Sequence, residues 1–208
     1  MIPDLEPWRH RAQKSSDWIE QSLDDPIVIQ QMLKLANKIV HPYVSEGTNS
    51  KPLIMTAGNG GSHALAEHLT AELIWRLGKD KDLGIPSICL TSNSSVLTAL
   101  SNDLSYQKAL VRHAATLTKI HSKNSDPILI GFSTSGHSKN ILDLLTSVRY
   151  ECNIHKVLFT GLRQEKELPA SEVFYVKGPG VPTTAIIQEV HQVYVHILCE
   201  MISEKLKV

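Results

Sequence analysis

The stretch Leu53-Ile54-Met55-Thr56-Ala57-Gly58-Asn59-Gly60-Gly61-Ser62-His63 opens a segment that runs to Arg76, and its reading decides the fold. A short apolar run bounded by glycines reads as a buried parallel strand. The glycines at 58, 60 and 61 let the backbone turn sharply and leave room for a ligand to approach. Ser62 is a good N-cap residue, and the helix expected after it offers unpaired N–H groups and the positive end of a dipole. Strand, glycine turn and helix N-terminus together present an anion site without a charged side chain. An ordinary strand-to-helix connection has the same outline, so the segment alone leaves both readings open.

The helix adds a second signal. His68 and Glu72 are four residues apart, so they share a face with Cβ atoms about 5–6 Å apart. Such a pair can share a divalent metal or move protons beside a bound phosphate. Taken alone it reads more readily as a surface ion pair. Ala64, Leu65, Leu69, Leu73 and Ile74 point to a helix packed over much of its circumference.

Composition narrows the class. The 208 residues suffice for one well-buried domain, and Lys+Arg and Asp+Glu number 21 each, for zero net charge with His neutral. The basic residues are scattered, which argues against a nucleic-acid surface. Cys89, Cys152 and Cys199 are far apart and odd in number. This argues against a disulfide framework and fits a reducing cytosol. No apolar run approaches the ~20 residues of a membrane span, and the N-terminus lacks a signal-peptide core. The expectation is a cytoplasmic protein with no membrane or nucleic-acid partner.

Working outward, residues 12–24 and 26–46 read as two helices broken at Asp25-Pro26. They either cover one face of a sheet or serve an oligomer contact. Gly78 to Asp82 reads as a charged loop and Ile85 to Leu90 as a strand. A helix follows, interrupted at Ser101-Asn102-Asp103, with Asp103 capping a second helix through His113. Asn102 and Asp103 are then either capping residues or ligand contacts.

The opening pattern recurs further on. Ile128 to Phe132 is a strand, Ser133-Thr134-Ser135-Gly136-His137-Ser138 a turn, and Lys139 to Tyr150 a helix. Three serines and a threonine at a helix N-terminus supply hydroxyl and backbone donors for a phosphate. His155–Gly161 and Val173–Val176 are further strands. Alternating strands and helices argue for a parallel sheet covered on both faces, as one domain. A last helix runs from about Pro182-Thr183 to Lys205. Its polar residues Gln188, Glu189, His191, Gln192 and His196 are expected to face solvent for the most part.

Taken in order, Gly58-Asn59-Gly60-Gly61-Ser62…His68…Glu72…Arg76, Leu100-Ser101-Asn102-Asp103, Ser133 to Ser138, and Ile187-Gln188-Glu189-Val190-His191…His196 resemble the bacterial phosphoheptose isomerases. That family belongs to the sugar-isomerase (SIS) domain superfamily. The resemblance covers about residues 50–205. It implies a three-layer αβα sandwich on a five-stranded parallel sheet, preceded by a helical pair, in a homotetramer with active sites at subunit interfaces. It implies that Ser62, Ser133, Thr134, Ser135 and Ser138 hold a sugar phosphate. Asn59, Gly60, Gly61, Arg76, Asn102, Asp103 and Gln188 would complete the substrate site. It implies zinc on His68, Glu72, Gln188 and His196, with Glu72 as base and His196 as acid. The implied reaction converts sedoheptulose 7-phosphate to D-glycero-D-manno-heptose 7-phosphate through an enediol. Two departures, Ala185-Ile186 ahead of Gln188 and Asn93 after the second strand, bear on which sugar is taken rather than on how the phosphate is held. The resemblance leaves two alternatives: an isomerase of another sugar phosphate, or a non-catalytic SIS-domain protein of the kind that binds a replication initiator.

Overall fold

The computed structural model describes residues 5–45, 51–76, 84–121, 126–147, 153–163 and 167–206, without the side chains of 76, 120 and 121. The charged loop read at 78–82 and the last three residues of the helix read at 139–150 lie outside these.

Two helices come first, α1 (Glu6–Leu23) and α2 (Pro26–Val44). The Asp25 carboxylate accepts the Ile27 N–H at 2.9 Å, and Pro26 supplies a preset φ at the first helical position. The pair begins earlier and ends earlier than the periodicity suggests. Pro7 is admissible in the first turn of α1, so that helix opens at Glu6.

Strand β1 (Ile54–Gly58) is buried along its whole length. Helix α3 (Gly61–Ala71) follows and passes into a π turn at Glu72–Arg76. Then come β2 (Ser87–Cys89), α4 (Ser94–Asp103), α5 (Tyr106–His121), β3 (Ile128–Ser133) and α6 (Lys139–Ser147). The chain continues as β4 (His155–Thr160), β5 (Glu172–Phe174) and α7 (Thr184–Leu206).

All neighbouring strand pairs are parallel, in the order β2-β1-β3-β4-β5. The order reverses between β1 and β3. In such sheets ligands bind in the crevice outside the carboxyl ends of the strands at that reversal. Gly58 pairs with Phe132, so the turns after β1 and β3 leave the sheet side by side.

Strand alternation divides the core into two. Ile54, Ile130, Phe132, Val157 and Phe159 face one cluster with α1, α2, α3 and α7. Met55, Ala57, Leu129 and Leu158 face another with α5 and α6. The result is a three-layer αβα sandwich in which the N-terminal pair covers a sheet face. On the α7 side Phe132, Phe159 and Phe174 stack strand to strand at 4.7 and 4.5 Å. Each aromatic contact of this kind adds about 0.5–1.5 kcal/mol beyond its buried area.

One break falls elsewhere than expected. Helix α4 runs unbroken through Ser101, Asn102 and Asp103. The interruption comes at Leu104-Ser105, and the Ser105 hydroxyl, not Asp103, accepts the Lys108 N–H at 3.2 Å. Ser and Asp cap about equally well, so composition did not distinguish them.

Candidate active site

The two turns at the sheet reversal form the first half of the site. Gly60 adopts φ +55° and ψ −124°, open to glycine alone. A Cβ on Gly58 would run into the Ser62 carbonyl. Helix α3 starts at Gly61, so Ser62 is its second residue and not its cap; it is buried, 4% exposed. A Cβ on Gly61 would lie 2.6 Å from the Gln188 amide. Helix α7 therefore reaches the start of α3 because residue 61 has no side chain, and Gln188 lies against the glycine turn.

In the turn after β3, Gly136 takes φ +67°. Its N–H donates to the Ser133 carbonyl at 3.0 Å. The Ser133 and Ser138 hydroxyls meet at 3.0 Å, and the His137 N–H donates to the Ser135 hydroxyl at 3.1 Å. Thr134 is half-buried between them. Its carbonyl sits so close to Gly161, after β4, that a side chain there would strike it.

Asn59 ties the turns together. Its amide exchanges two hydrogen bonds with the buried Asn140 amide, at 2.9 and 2.8 Å. The Tyr106 hydroxyl donates to Asn59 Oδ1 at 2.7 Å. Sequence reasoning missed both partners. Asn140 is a polar residue buried at the start of an apolar helix, and Tyr106 follows Asp103 by three. Tyr106 fastens the α4–α5 junction, with Asn102 and Asp103 exposed beside it, to the glycine turn. The Arg76 side chain lies outside the described residues.

The second half of the site lies between α3 and α7. His68 Nε2 and His196 Nε2 are 2.9 Å apart with the rings edge to face. Glu72 Oε1 is 3.8 Å from His68 Nε2, and the Glu72 side chain is 13% exposed. The Gln192 amide nitrogen also reaches His196 Nε2 at 2.9 Å. Glu72 opens the π turn, a feature frequent at functional sites. A cleft of about 660 Å³ runs from Gly61 and Gln188 to His68 and His196. With 1.5 Å of rise per residue, His68 stands about 9 Å and Glu72 about 15 Å along the helix from Ser62.

Helix α7 is pinned at the cleft on two sides. The Arg11 guanidinium donates to Glu189 at 2.7 Å and also bonds Ser15. Burial pushes the Glu189 carboxyl up, but Arg11 and Ser15 outweigh it and hold it below the usual carboxylate range. His191, one of the polar α7 residues expected for the most part to face solvent, is fully buried, and its Nε2 bonds the Thr160 carbonyl at 2.9 Å. Burial pushes this imidazole down to about 4, with the Thr160 bond opposing, so it is neutral.

The donor set suits zinc in kind, two imidazoles, a carboxylate and an amide. Two imidazole nitrogens 2.9 Å apart repel unless a proton or a cation lies between them. In this arrangement, however, no group of three or more His, Cys, Asp or Glu side chains among the described residues is placed to hold a metal ion, and the Gln188 amide lies at the Gly61 end of the cleft.

The SIS domain family model matches residues 30–152. The phosphoheptose isomerase of Helicobacter pylori is 33% identical over 204 residues, 97% of this chain and 96% of that protein. The phosphoheptose isomerase of Coxiella burnetii is 35% identical over 160 residues, 74% of each chain. In fold, the structure of a phosphoheptose isomerase from Francisella tularensis superposes with a TM-score of 0.76 at 23% identity, covering 98% of this chain and 100% of that one.

Proposed function

Because this chain belongs to the phosphoheptose isomerase family of the SIS-domain superfamily, we propose that it is an aldose–ketose isomerase acting on sedoheptulose 7-phosphate. The observation that carries this reading is a cleft lined from Gly61 and Gln188 at the start of α3 to the His68–His196 pair. A phosphate ester held at one end of that cleft lays its sugar chain toward titratable groups at the other.

The phosphate end needs no lysine. Backbone N–H groups at the start of α3, with the hydroxyls of Ser62, Ser133, Thr134, Ser135 and Ser138, supply the donors. Ser133 and Ser138 now satisfy each other, and a phosphate oxygen replaces that bond with one from each. Asn59, Asn102, Asp103 and Gln188 are left to orient the sugar hydroxyls. Holding the chain in one pose converts much of the entropic barrier into binding.

At the reacting end Glu72 takes the proton from C1 of the ketose and returns it to C2. His196 carries the hydroxyl proton from O1 to O2, giving the aldose through an enediol. Each positioned proton transfer contributes about 10²–10⁴-fold. His68, Glu72 and His196 would hold zinc, which would supply carbonyl polarisation and stabilise enediolate charge. Gln188, about 12 Å back along α7 from His196, lies at the glycine-turn end of the cleft. A Glu72 oxygen engaged as base is not then a ligand, so the carboxylate divides the two tasks between its oxygens.

The family resemblance also supports a homotetramer with sites at subunit boundaries. Trp8, Ile74 and Trp75 are 70%, 49% and 64% exposed, apolar area that a neighbouring subunit would cover. Light scattering of the purified protein should give four chains.

The deciding experiment is a sugar-phosphate panel followed by NMR of the products. Sedoheptulose 7-phosphate should yield the heptose 7-phosphate, and Glu72→Gln should lose at least about 10²-fold in kcat. Absence of turnover, or an undiminished Glu72→Gln, overturns the reading.

A further inference from the structure

A nucleophile, a base and a carboxylate stand together on the face of α3 turned away from α7. Cys89 Sγ, at the end of β2, is 3.8 Å from His63 Nδ1. Thr91 Oγ1 bridges them, 3.2 Å from the sulfur and 2.8 Å from the same ring nitrogen. His63 Nε2 faces Glu67 Oε2 at 3.4 Å, one turn further along the helix. Glu67 and Cys89 line a cavity of about 780 Å³ with Thr70, Ile88, Ser92 and Asn93. None of this array belongs to the cleft between α3 and α7.

The order of contacts fixes the proton inventory. A carboxylate accepts from Nε2–H, so His63 presents an Nδ1 lone pair to Thr91 and Cys89. A nucleophile beside a base that a third group orients is the arrangement that activates a thiol. Cys89 is only 5% exposed, which admits a small reagent and excludes a bulky one.

We propose that Cys89 is a modification site for a small peroxide, with His63 as its base and Glu67 as the group that orients His63. The thiol proton passes to His63 Nδ1. The sulfur then donates an electron pair to one peroxide oxygen, so an S–O bond forms and the O–O bond breaks. The proton on His63 goes to the departing hydroxide, which leaves as water. Sulfur is oxidised by two electrons to the sulfenic acid, and the peroxide is reduced by the same two. The Thr91 hydroxyl donates to the new sulfenyl oxygen. The new oxygen sits beside His63, the residue after Ser62, so the modification is read at the first turn of α3. This assignment is independent of the isomerase reading, and either stands if the other fails.

The test uses the full-length protein, reduced and desalted, given one equivalent of hydrogen peroxide and quenched at intervals into urea containing dimedone, each cysteine being read by peptide mass spectrometry. Cys199 is the internal control, a second free cysteine buried to a similar degree, 7% exposed. Cys89 should take the dimedone adduct at least about tenfold faster than Cys199, and His63→Ala should slow Cys89 by about tenfold. His63→Gln, which keeps a polar side chain of similar length, gives the same readout where the alanine variant does not fold. Cys89 labelled no faster than Cys199, or a variant labelled as fast as the wild-type protein, overturns the proposal.

Discussion

Tyr106 shows how a single hydroxyl serves a site it does not enter. Its bond to Asn59 Oδ1 joins the α4–α5 junction to the glycine turn. Tyr106→Phe removes one hydrogen bond at an exposed position, a stability change of about 1 kcal/mol or less. The expected kinetic effect is several-fold in KM for the sugar phosphate with kcat nearly kept, measured by steady-state assay. His191 acts through burial instead. Its neutral ring must take a proton when the chain unfolds in acid, because an exposed imidazole titrates near 6.5 and this one near 4. The folded state is therefore favoured in full above about pH 6.5, and that advantage is lost as pH falls toward 4. The difference amounts to about 3 kcal/mol at most. Urea unfolding at pH 7 and pH 4.5 should show this loss in the wild-type protein and a smaller one in His191→Met. Glu172 and Glu189, whose carboxyls are held low in the fold, lose stability with acid in both proteins, so the comparison isolates His191.

Elements depend on residues that have no side chain. Gly61 lets α7 lie on α3, and Gly61→Ala forces the Gln188 amide away from a Cβ 2.6 Å distant. A shift of about 1 Å here, remote from the proton transfers, costs about 10²-fold in kcat/KM, with the circular dichroism unchanged. The Asp25 cap of α2 belongs to stability alone, and Asp25→Ala should lower the unfolding free energy by about 1 kcal/mol without affecting turnover. The strand–turn–helix segments were legible because apolar runs, glycines and hydroxyl clusters fix them locally. His191 was legible in position and not in character. It sits four residues after Ile187 and three before Tyr194 on the apolar stripe of α7, but its polarity suggested solvent. Asn140 and Tyr106 were not legible at all, since their partner is a residue on another element.

For the whole molecule, strand order brings the two turns together and the αβα layering brings α7 across α3. Pairing between β1 and β3, and between α3 and α7, is not written in any local pattern. Only the resemblance joined Glu72 and His196 at the sequence level, and the structure connects both through His68. On the zinc reading proposed above, metal content is a property of this assembled state. Zinc by elemental analysis should approach one per chain, and His68→Ala should lose it together with several degrees of thermal midpoint. The pairing of His68 with His196 spans 128 positions of the chain. At ribosomal speeds of about 5–20 residues per second, the earlier imidazole waits on the order of ten seconds for the later one. Throughout that interval the nascent polypeptide carries one imidazole of the pair, so any cation that both rings share is captured only once the later helix has been made.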